Sequence, residues 1–304
     1  MNEQEIFFKT GLIELSGTLA LPDLNGQFPA VLLIPGSGQT DRNDNAKRLK
    51  INAFVDISRF LTKHGIASLR FDKRGVGQSQ GNYWETGFYD RINDVAAALN
   101  FLKRHKNINS DKVFLLGHSE GALISTNLAG TGAEVAGIIL LAGSAQSGEL
   151  VLKWQALEIV KNLKGFNGWL IRAFHIDVSK SQTKKLDKIK QSTKDWYRQA
   201  FVLKFNAKWF REFLAYDPTE DLSRIKIPVL AITGSKDIQV NPEDLQKMAH
   251  LIRSPFEQHL IKDMTHILRI EQGEANISNY KEEINRPVEP KLLEIILNWL
   301  EKLI

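Results

Sequence analysis

Four apolar residues, Val113-Phe114-Leu115-Leu116, run straight into Gly117-His118-Ser119-Glu120-Gly121 and then into the helix-forming Ala122-Leu123-Ile124. A buried strand, a turn and a helix thus follow one another with no linker, so the turn must bend sharply. Glycines two places either side of Ser119 leave no side chain where strand and helix crowd together. Ser119 would then stand above the C-terminal edge of a sheet, with a helix N-terminus beneath it and the Glu120 amide aimed at any anion forming there. A glycine-flanked turn whose serine only caps a helix has the same local pattern. What separates the two is whether an acid and a base follow downstream in the order such a turn requires.

The rest of the chain supplies a sheet for that turn. Segments 5–8, 12–15 and 19–22 partly alternate and read as antiparallel edge strands, whereas Ala30-Val31-Leu32-Leu33-Ile34 has no polar face and should be buried on both sides. Helical spacing over 53–61 leads to a strand at 66–71 and a charged, glycine-rich loop from Asp72 to Ser79, in which Asp72 and Arg74 are read as holding the loop by local pairing. A helix over 89–101, a strand over 135–141, a strand over 227–234, a helix over 242–252, a strand over 256–261 and an amphipathic helix over 290–303 complete the pattern. Helices that each bridge two buried strands generate a mostly parallel, doubly wound sheet with right-handed crossovers. The sheet begins antiparallel and turns parallel.

The alternation breaks between 147 and 216, a segment expected to be an inserted helical cap, with 1–146 and 217–304 forming the core domain. It holds 14 Lys and Arg against 6 Asp and Glu, out of 40 and 35 in the chain, so the net charge of +5 is local and the remainder is slightly acidic. No Gly-rich phosphate loop, zinc spacing or RNA-reading motif accompanies the basic segment, which argues against nucleic acid as a partner. Its aromatics include Trp154, Trp169, Trp196, Trp209, Phe166, Phe174, Tyr197, Phe201, Phe205 and Phe210. Of these, Trp154, Trp169 and Trp209 are candidates to wall a substrate pocket. The chain has no cysteine, which excludes disulfides, thiolate metal sites and a cysteine nucleophile and suits a reducing compartment. Its first residues lack the apolar core of a signal peptide, and no run reaches the ~18 apolar residues of a membrane helix. A cytoplasmic location without stable membrane association is expected.

Downstream of Ser119, Asp237 follows one buried strand and His266 the next, giving the order Ser, acid, His. Upstream, Pro35-Gly36-Ser37-Gly38 closes the buried strand 30–34, where Ser37 N–H is a candidate second oxyanion donor opposite Glu120 N–H. With these motifs, Asp72 to Ser79 and Gly234-Ser235-Lys236-Asp237 in sequence, the chain resembles an α/β-hydrolase over almost all of its length, the insertion apart. Within that superfamily it is similar to capped bacterial carboxylesterases near the serine aminopeptidase, feruloyl esterase and prolyl oligopeptidase groups. Two positions depart from the common pattern. Pro35 replaces a histidine at the oxyanion loop, and Thr265 replaces a glycine before His266, which suggests a different path for that loop.

The resemblance implies a serine hydrolase that cleaves small-molecule carboxylic esters through an acyl-enzyme, with Ser119 as nucleophile, His266 as base and Asp237 as the acid that orients it. Asp263, three residues before His266, is the competing acid. His118 is expected to turn away into the elbow, and His64, His105, His175, His250 and His259 to serve surface or packing roles. No pair of them has metal-ligand spacing, so neither metal nor cofactor is expected. The same triad also serves aminopeptidases or amidases, which need a carboxylate near the mouth to hold an amine; Asp41, Asp44 and Glu120 are the candidates. An acyl thioesterase whose basic cap attracts phosphates, a lipase docking by that cap, and a non-catalytic ligand-binding protein are further readings of the same residues.

Overall fold

The N-terminal hairpin sets one edge of the sheet: β1 (Asn2–Thr10) and β2 (Ile13–Leu21) pair antiparallel, and the side chains of β1 alternate between exposed and buried. The computed structural model describes residues 2–161, 186–199 and 203–304. Inside that edge lie β3 (Phe28–Ile34), β4 (Ala67–Phe71), β5 (Ile108–His118) and β6 (Gly137–Leu141), all parallel to one another. Later in the chain β9 (Val229–Gly234) and β10 (Phe256–Ile261) extend the same sheet, giving the order β1-β2-β4-β3-β5-β6-β9-β10 among the described residues.

Period-two geometry splits the continuous apolar runs into two cores. Leu32 and Ile34 of β3, Leu115 of β5 and Ile138 and Leu140 of β6 face helices α2 (Phe88–Lys103) and α3 (Glu120–Gly130), meeting Val95, Leu99, Leu123 and Ile124. Their neighbours Val31, Leu33, Phe114, Leu116 and Ile139 face α1 (Ala53–Lys63) and the last helix, Pro290–Glu301, meeting Phe54, Ile57, Ile296 and Trp299. A residue on one of these strands therefore belongs to whichever core its parity selects. The parallel sheet and antiparallel start match the sequence reading.

Residues 147–216 depart from an all-helical reading. Helix α4 (Gly148–Lys161) is followed, among the described residues, by a helical stretch over 186–190, then by an antiparallel ribbon of β7 (Trp196–Gln199) and β8 (Leu203–Asn206), and then by α5 (Ala207–Ala215). The ribbon places Tyr197 opposite Phe205 with ring centroids 5.0 Å apart, the cross-strand aromatic pairing that favours strand over helix. Asn206 caps α5 through its carbonyl, which accepts from Trp209 N–H at 2.9 Å. Its amide donates to the carbonyls of Tyr83 and Thr86, tying the segment to the core. Phe166, Trp169, Phe174, His175 and Phe201 lie outside the described residues. No described helix is long and apolar enough to cross a membrane.

The turn between β5 and α3 shows why its glycines are required. A Cβ at Gly117 would lie 2.0 Å from the Gly121 carbonyl oxygen, and one at Gly121 would lie 2.0 Å from that of Ile34. These are backbone atoms of a packed helix and a packed strand, so no side chain can swing aside. Gly121→Ala should therefore destabilise the fold by about 3 kcal/mol, near the upper end for overpacking. Urea denaturation measures this directly, and a midpoint equal to that of the parent protein would show that the turn is looser than its geometry.

Candidate active site

Ser119 sits at the apex of that turn in a conformation most residues avoid, with φ 54° and ψ −114°. A non-glycine residue held at positive φ costs on the order of 1–3 kcal/mol and persists only where its surroundings enforce it. Here the enforcement comes from both sides. Ser119 N–H donates to the Leu141 carbonyl at 2.9 Å, and α3 begins at the next residue. The side chain is half-buried and lines a cavity with Ser37 and Glu120. Neither the Ser37 nor the Glu120 amide has a backbone partner among the described residues. The loop after β3 is close enough that a Cβ at Gly36 would lie 3.4 Å from that of Ser119.

Across the cavity, Asp237 and His266 meet at the C-terminal ends of β9 and β10. His266 Nδ1 lies 2.8 Å from Asp237 Oδ2, while Asp237 Oδ1 accepts the amides of Gln239 at 2.8 Å and Val240 at 2.9 Å. Both side chains are buried. With Nδ1 engaged, Nε2 is the ring nitrogen left for chemistry, and His266 and Ser119 both line a cavity of about 270 Å³. Asp263 does not compete for the imidazole: its carboxylate pairs with Lys236 at 2.9 Å. Thr265, standing where a glycine was expected, is held by its amide to the Arg269 carbonyl at 2.8 Å and by its hydroxyl to Glu283 at 2.6 Å. Those two bonds fix the path of the His266 loop.

The carboxylates considered as amine holders are otherwise occupied. Glu120 is buried and receives Arg91 at 2.7 and 2.8 Å, Trp209 Nε1 at 2.5 Å and Lys73 at 3.4 Å. Burial pushes its carboxyl up, and Arg91 and Lys73 outweigh that, holding it below the usual range. Asp44 is buried between Gly36 N–H at 2.9 Å and His118 Nδ1 at 2.6 Å. Asp41 accepts from the amides of Asn43 and Asn45 and lies 3.8 Å from Lys50. His118, expected merely to turn away, bridges two loops: its Nε2 lies 2.9 Å from the His266 carbonyl oxygen. Burial lowers the His118 imidazole and the Asp44 carboxylate more than compensates, so it is raised overall. With acceptors on both nitrogens, the doubly protonated ring satisfies both contacts.

The pairing expected within the loop after β4 is corrected. Asp72 and Arg74 do not hold each other. Asp72 receives the Arg42 guanidinium at 2.7 and 3.2 Å and the Arg42 amide at 2.8 Å, and Arg74 pairs with Asp94 at 2.6 Å. Parallel β3 and β4 lie side by side, so the loops after them meet, and long-range partners win over local ones. Lys73 and Arg91 were not singled out in the sequence. Their one signal is Glu120, a carboxylate in the first turn of an apolar helix, which requires a cation without saying which.

A second, smaller cavity of about 40 Å³ adjoins Ser119 and is lined by Val151, Leu152 and Gln155 of α4 and by Trp209 and Phe213 of α5. Trp209 thus reaches the site, stacked on Phe213 at 4.7 Å, whereas Trp154 is not among the residues lining either cavity at Ser119. Trp169 lies outside the described residues. His64, His250 and His259 contact Phe60, Gln246 and Glu257 and lie away from Ser119, and His105 is stacked on Phe101. Among the described residues no group of His, Cys, Asp and Glu could hold a metal ion.

A model of the serine aminopeptidase S33 family matches residues 50–273, a span that includes Ser119, Asp237 and His266. The chain belongs to this family. Among curated relatives, the esterase EstD of Thermotoga maritima is 28% identical over 290 residues, covering 95% of this chain and 66% of that protein. The chain thus spans just under two thirds of that relative. Est1E of Butyrivibrio proteoclasticus, solved with ferulic acid, superposes with a TM-score of 0.64 at 17% identity, covering 96% of this chain and 98% of the other. The α/β-hydrolase GrgF of Penicillium sp. sh18 superposes with a TM-score of 0.65 at 16% identity over 100% and 99% of the two chains. Together with the sheet order, these likenesses make the S33 chain an α/β-hydrolase in fold.

Proposed function

We propose that the chain is a serine hydrolase that cleaves carboxylic esters of small molecules through an acyl-enzyme. The observation that carries this reading is the strained Ser119, placed beside two amides without backbone partners among the described residues and sharing a cavity with an Asp237-bound His266. His266 Nε2 takes the Ser119 proton as Oγ bonds to the acyl carbon. The carbonyl electrons move onto oxygen, where the Ser37 and Glu120 amides receive the charge. As the tetrahedral species collapses, the carbon–alkoxy bond breaks and His266 returns the proton to the leaving alcohol. Water then adds to the acyl-Ser119 by the same route, releasing the acid and restoring the hydroxyl. Asp237 holds the ring in the tautomer with Nδ1 protonated and stabilises the imidazolium between the two transfers.

Esters are favoured over amino-terminal peptides because Asp41, Asp44 and Glu120 are each committed to internal partners, which leaves no pendant carboxylate from that set to hold a substrate ammonium. The relation to EstD, an esterase by name, supports the same choice. We place residues 147–216 as a cap whose α4 and α5 wall the smaller cavity, and the reaction in the cytoplasm, a setting that suits a chain without cysteine. The test is to label the protein with a fluorophosphonate, locate the adduct by mass spectrometry, and assay p-nitrophenyl esters beside an amino-acid anilide. An adduct on Ser119 together with faster turnover of the ester is expected. Faster anilide turnover would overturn the ester assignment in favour of a peptidase, and folded protein with neither adduct nor turnover would overturn catalysis altogether.

A further inference from the structure

We infer that Lys73 is a positioning residue for the oxyanion hole: its ammonium holds and polarises the Gly36–Ser37 peptide, so that the Ser37 amide is aimed and strengthened as an oxyanion donor. This rests on the serine hydrolase reading above and concerns a residue that touches no substrate.

The geometry begins with the sheet. Because β3 and β4 are parallel neighbours, the residue two past the end of β4 comes up beneath the loop that follows β3. Lys73 is that residue, and its side chain is buried, with its Nζ donating to the carbonyl of Gly36 and, at 3.3 Å, to that of Gly38. The hydroxyl of Thr40 donates to the same Gly36 carbonyl at 3.1 Å. A trans peptide is planar, with C=O and N–H pointing in opposite directions, and this chain has no cis bonds among the described residues. Two donors on the Gly36 oxygen therefore fix the direction of the Ser37 N–H on the far side of the same plane. That N–H has no backbone partner among the described residues and belongs to a residue lining the cavity at Ser119.

Glu120 does not account for Lys73. Its two carboxylate oxygens already take Arg91 Nη1 at 2.7 and 2.8 Å, and one of them the Trp209 indole at 2.5 Å, whereas Lys73 stands off at 3.4 Å. Burying an ammonium is costly, and an apolar side chain of equal length would fill the space without that cost. What the ammonium alone supplies is a full charge on a peptide oxygen. Withdrawing electrons there makes the N–H of the same unit a stronger donor, as in any chain of polarised hydrogen bonds.

The charge is also titratable. Burial pulls Lys73 down to about 8, against the opposing pull of Glu120. The groups facing it are Glu120 from α3, Arg91 from α2 and Asp44 from the loop after β3. Below that pH the ammonium is present and the peptide polarised; above it the lysine is neutral and the Ser37 donor weakens. Activity should consequently decline as pH rises through about 8.

The experiment compares the parent protein with Lys73→Met and Thr40→Val. An aryl trifluoromethyl ketone forms a hemiketal with Ser119, and a fluorine NMR titration reads the pH at which its oxyanion protonates. Lys73→Met is expected to raise that pH by about one unit, a tenfold loss of oxyanion stabilisation. On a p-nitrophenyl ester it should lower kcat roughly 10- to 100-fold, less than loss of a whole oxyanion donor, with KM within about threefold. The alkaline decline of the parent should be missing from the variant. Thr40→Val should shift the hemiketal in the same direction by a smaller step, which keeps the inference testable if Lys73→Met does not fold. An unchanged hemiketal titration in a folded Lys73→Met protein would overturn the inference, even if kcat fell. Should the parent form no hemiketal and turn over no ester, the hydrolase reading fails and takes this inference with it. A responsive parent with an indifferent variant defeats the inference alone.

Discussion

Ser119→Ala is expected to lower kcat on a p-nitrophenyl ester by roughly 10⁴- to 10⁶-fold, because the covalent route disappears and only oxyanion binding and proximity remain. The substitution removes one oxygen from a half-buried position and leaves the turn glycines untouched, so the fold should survive. The positive φ of Ser119 strains alanine as it strains serine, and thermal unfolding should show a shift of no more than about 1 kcal/mol. Steady-state assays with a burst-phase control measure the loss. A variant that keeps even a few per cent of the parent rate would mean that another group is the nucleophile.

Asp237→Asn should cost about 10³- to 10⁴-fold in kcat, through the tautomer of a neighbouring ring and not through lost charge alone. Asp237 Oδ1 accepts two amides, from Gln239 and Val240, and its Oδ2 faces His266 Nδ1. An asparagine has one acceptor oxygen and one donor nitrogen. Its oxygen must face the two amides, since turning the NH₂ toward them would set donor against donor in a buried site. The NH₂ then faces His266 Nδ1, which can only accept, and the ring proton is driven to Nε2, the atom proposed to take the Ser119 proton. Turnover within tenfold of the parent would show that the Asp237–His266 contact is structural.

Much of the fold was legible because the decisive signals are local. A four-residue apolar run followed by paired glycines dictates a strand and a sharp turn, and unbroken apolarity in Ala30 to Ile34 dictates burial on both faces. The order of Ser119, Asp237 and His266 could be read since each stands just past the end of a different strand. What could not be read depends on which loops end up side by side. Arg42 finds Asp72 across thirty residues and His118 finds Asp44 across seventy-four, and neither spacing leaves a mark in the sequence. Lys73 looked like one more loop cation until the β3–β4 adjacency set it under Gly36. The ribbon at Trp196–Gln199 was missed for another reason: a strand of four residues is too short to distinguish strand from helix by period.

His118 has a consequence beyond its own contacts. Its two nitrogens join Asp44, in the loop after β3, to the His266 backbone in the loop after β10, and the ring itself belongs to the turn before α3. Three segments far apart in the chain are thereby latched by one buried imidazole. Loosening any of them breaks a buried hydrogen bond of that ring, which is more expensive than fraying an ordinary surface loop. The loops around Ser119 accordingly hold together or loosen together, and the protein has little access to states in which Ser119 is in place while the His266 loop is not.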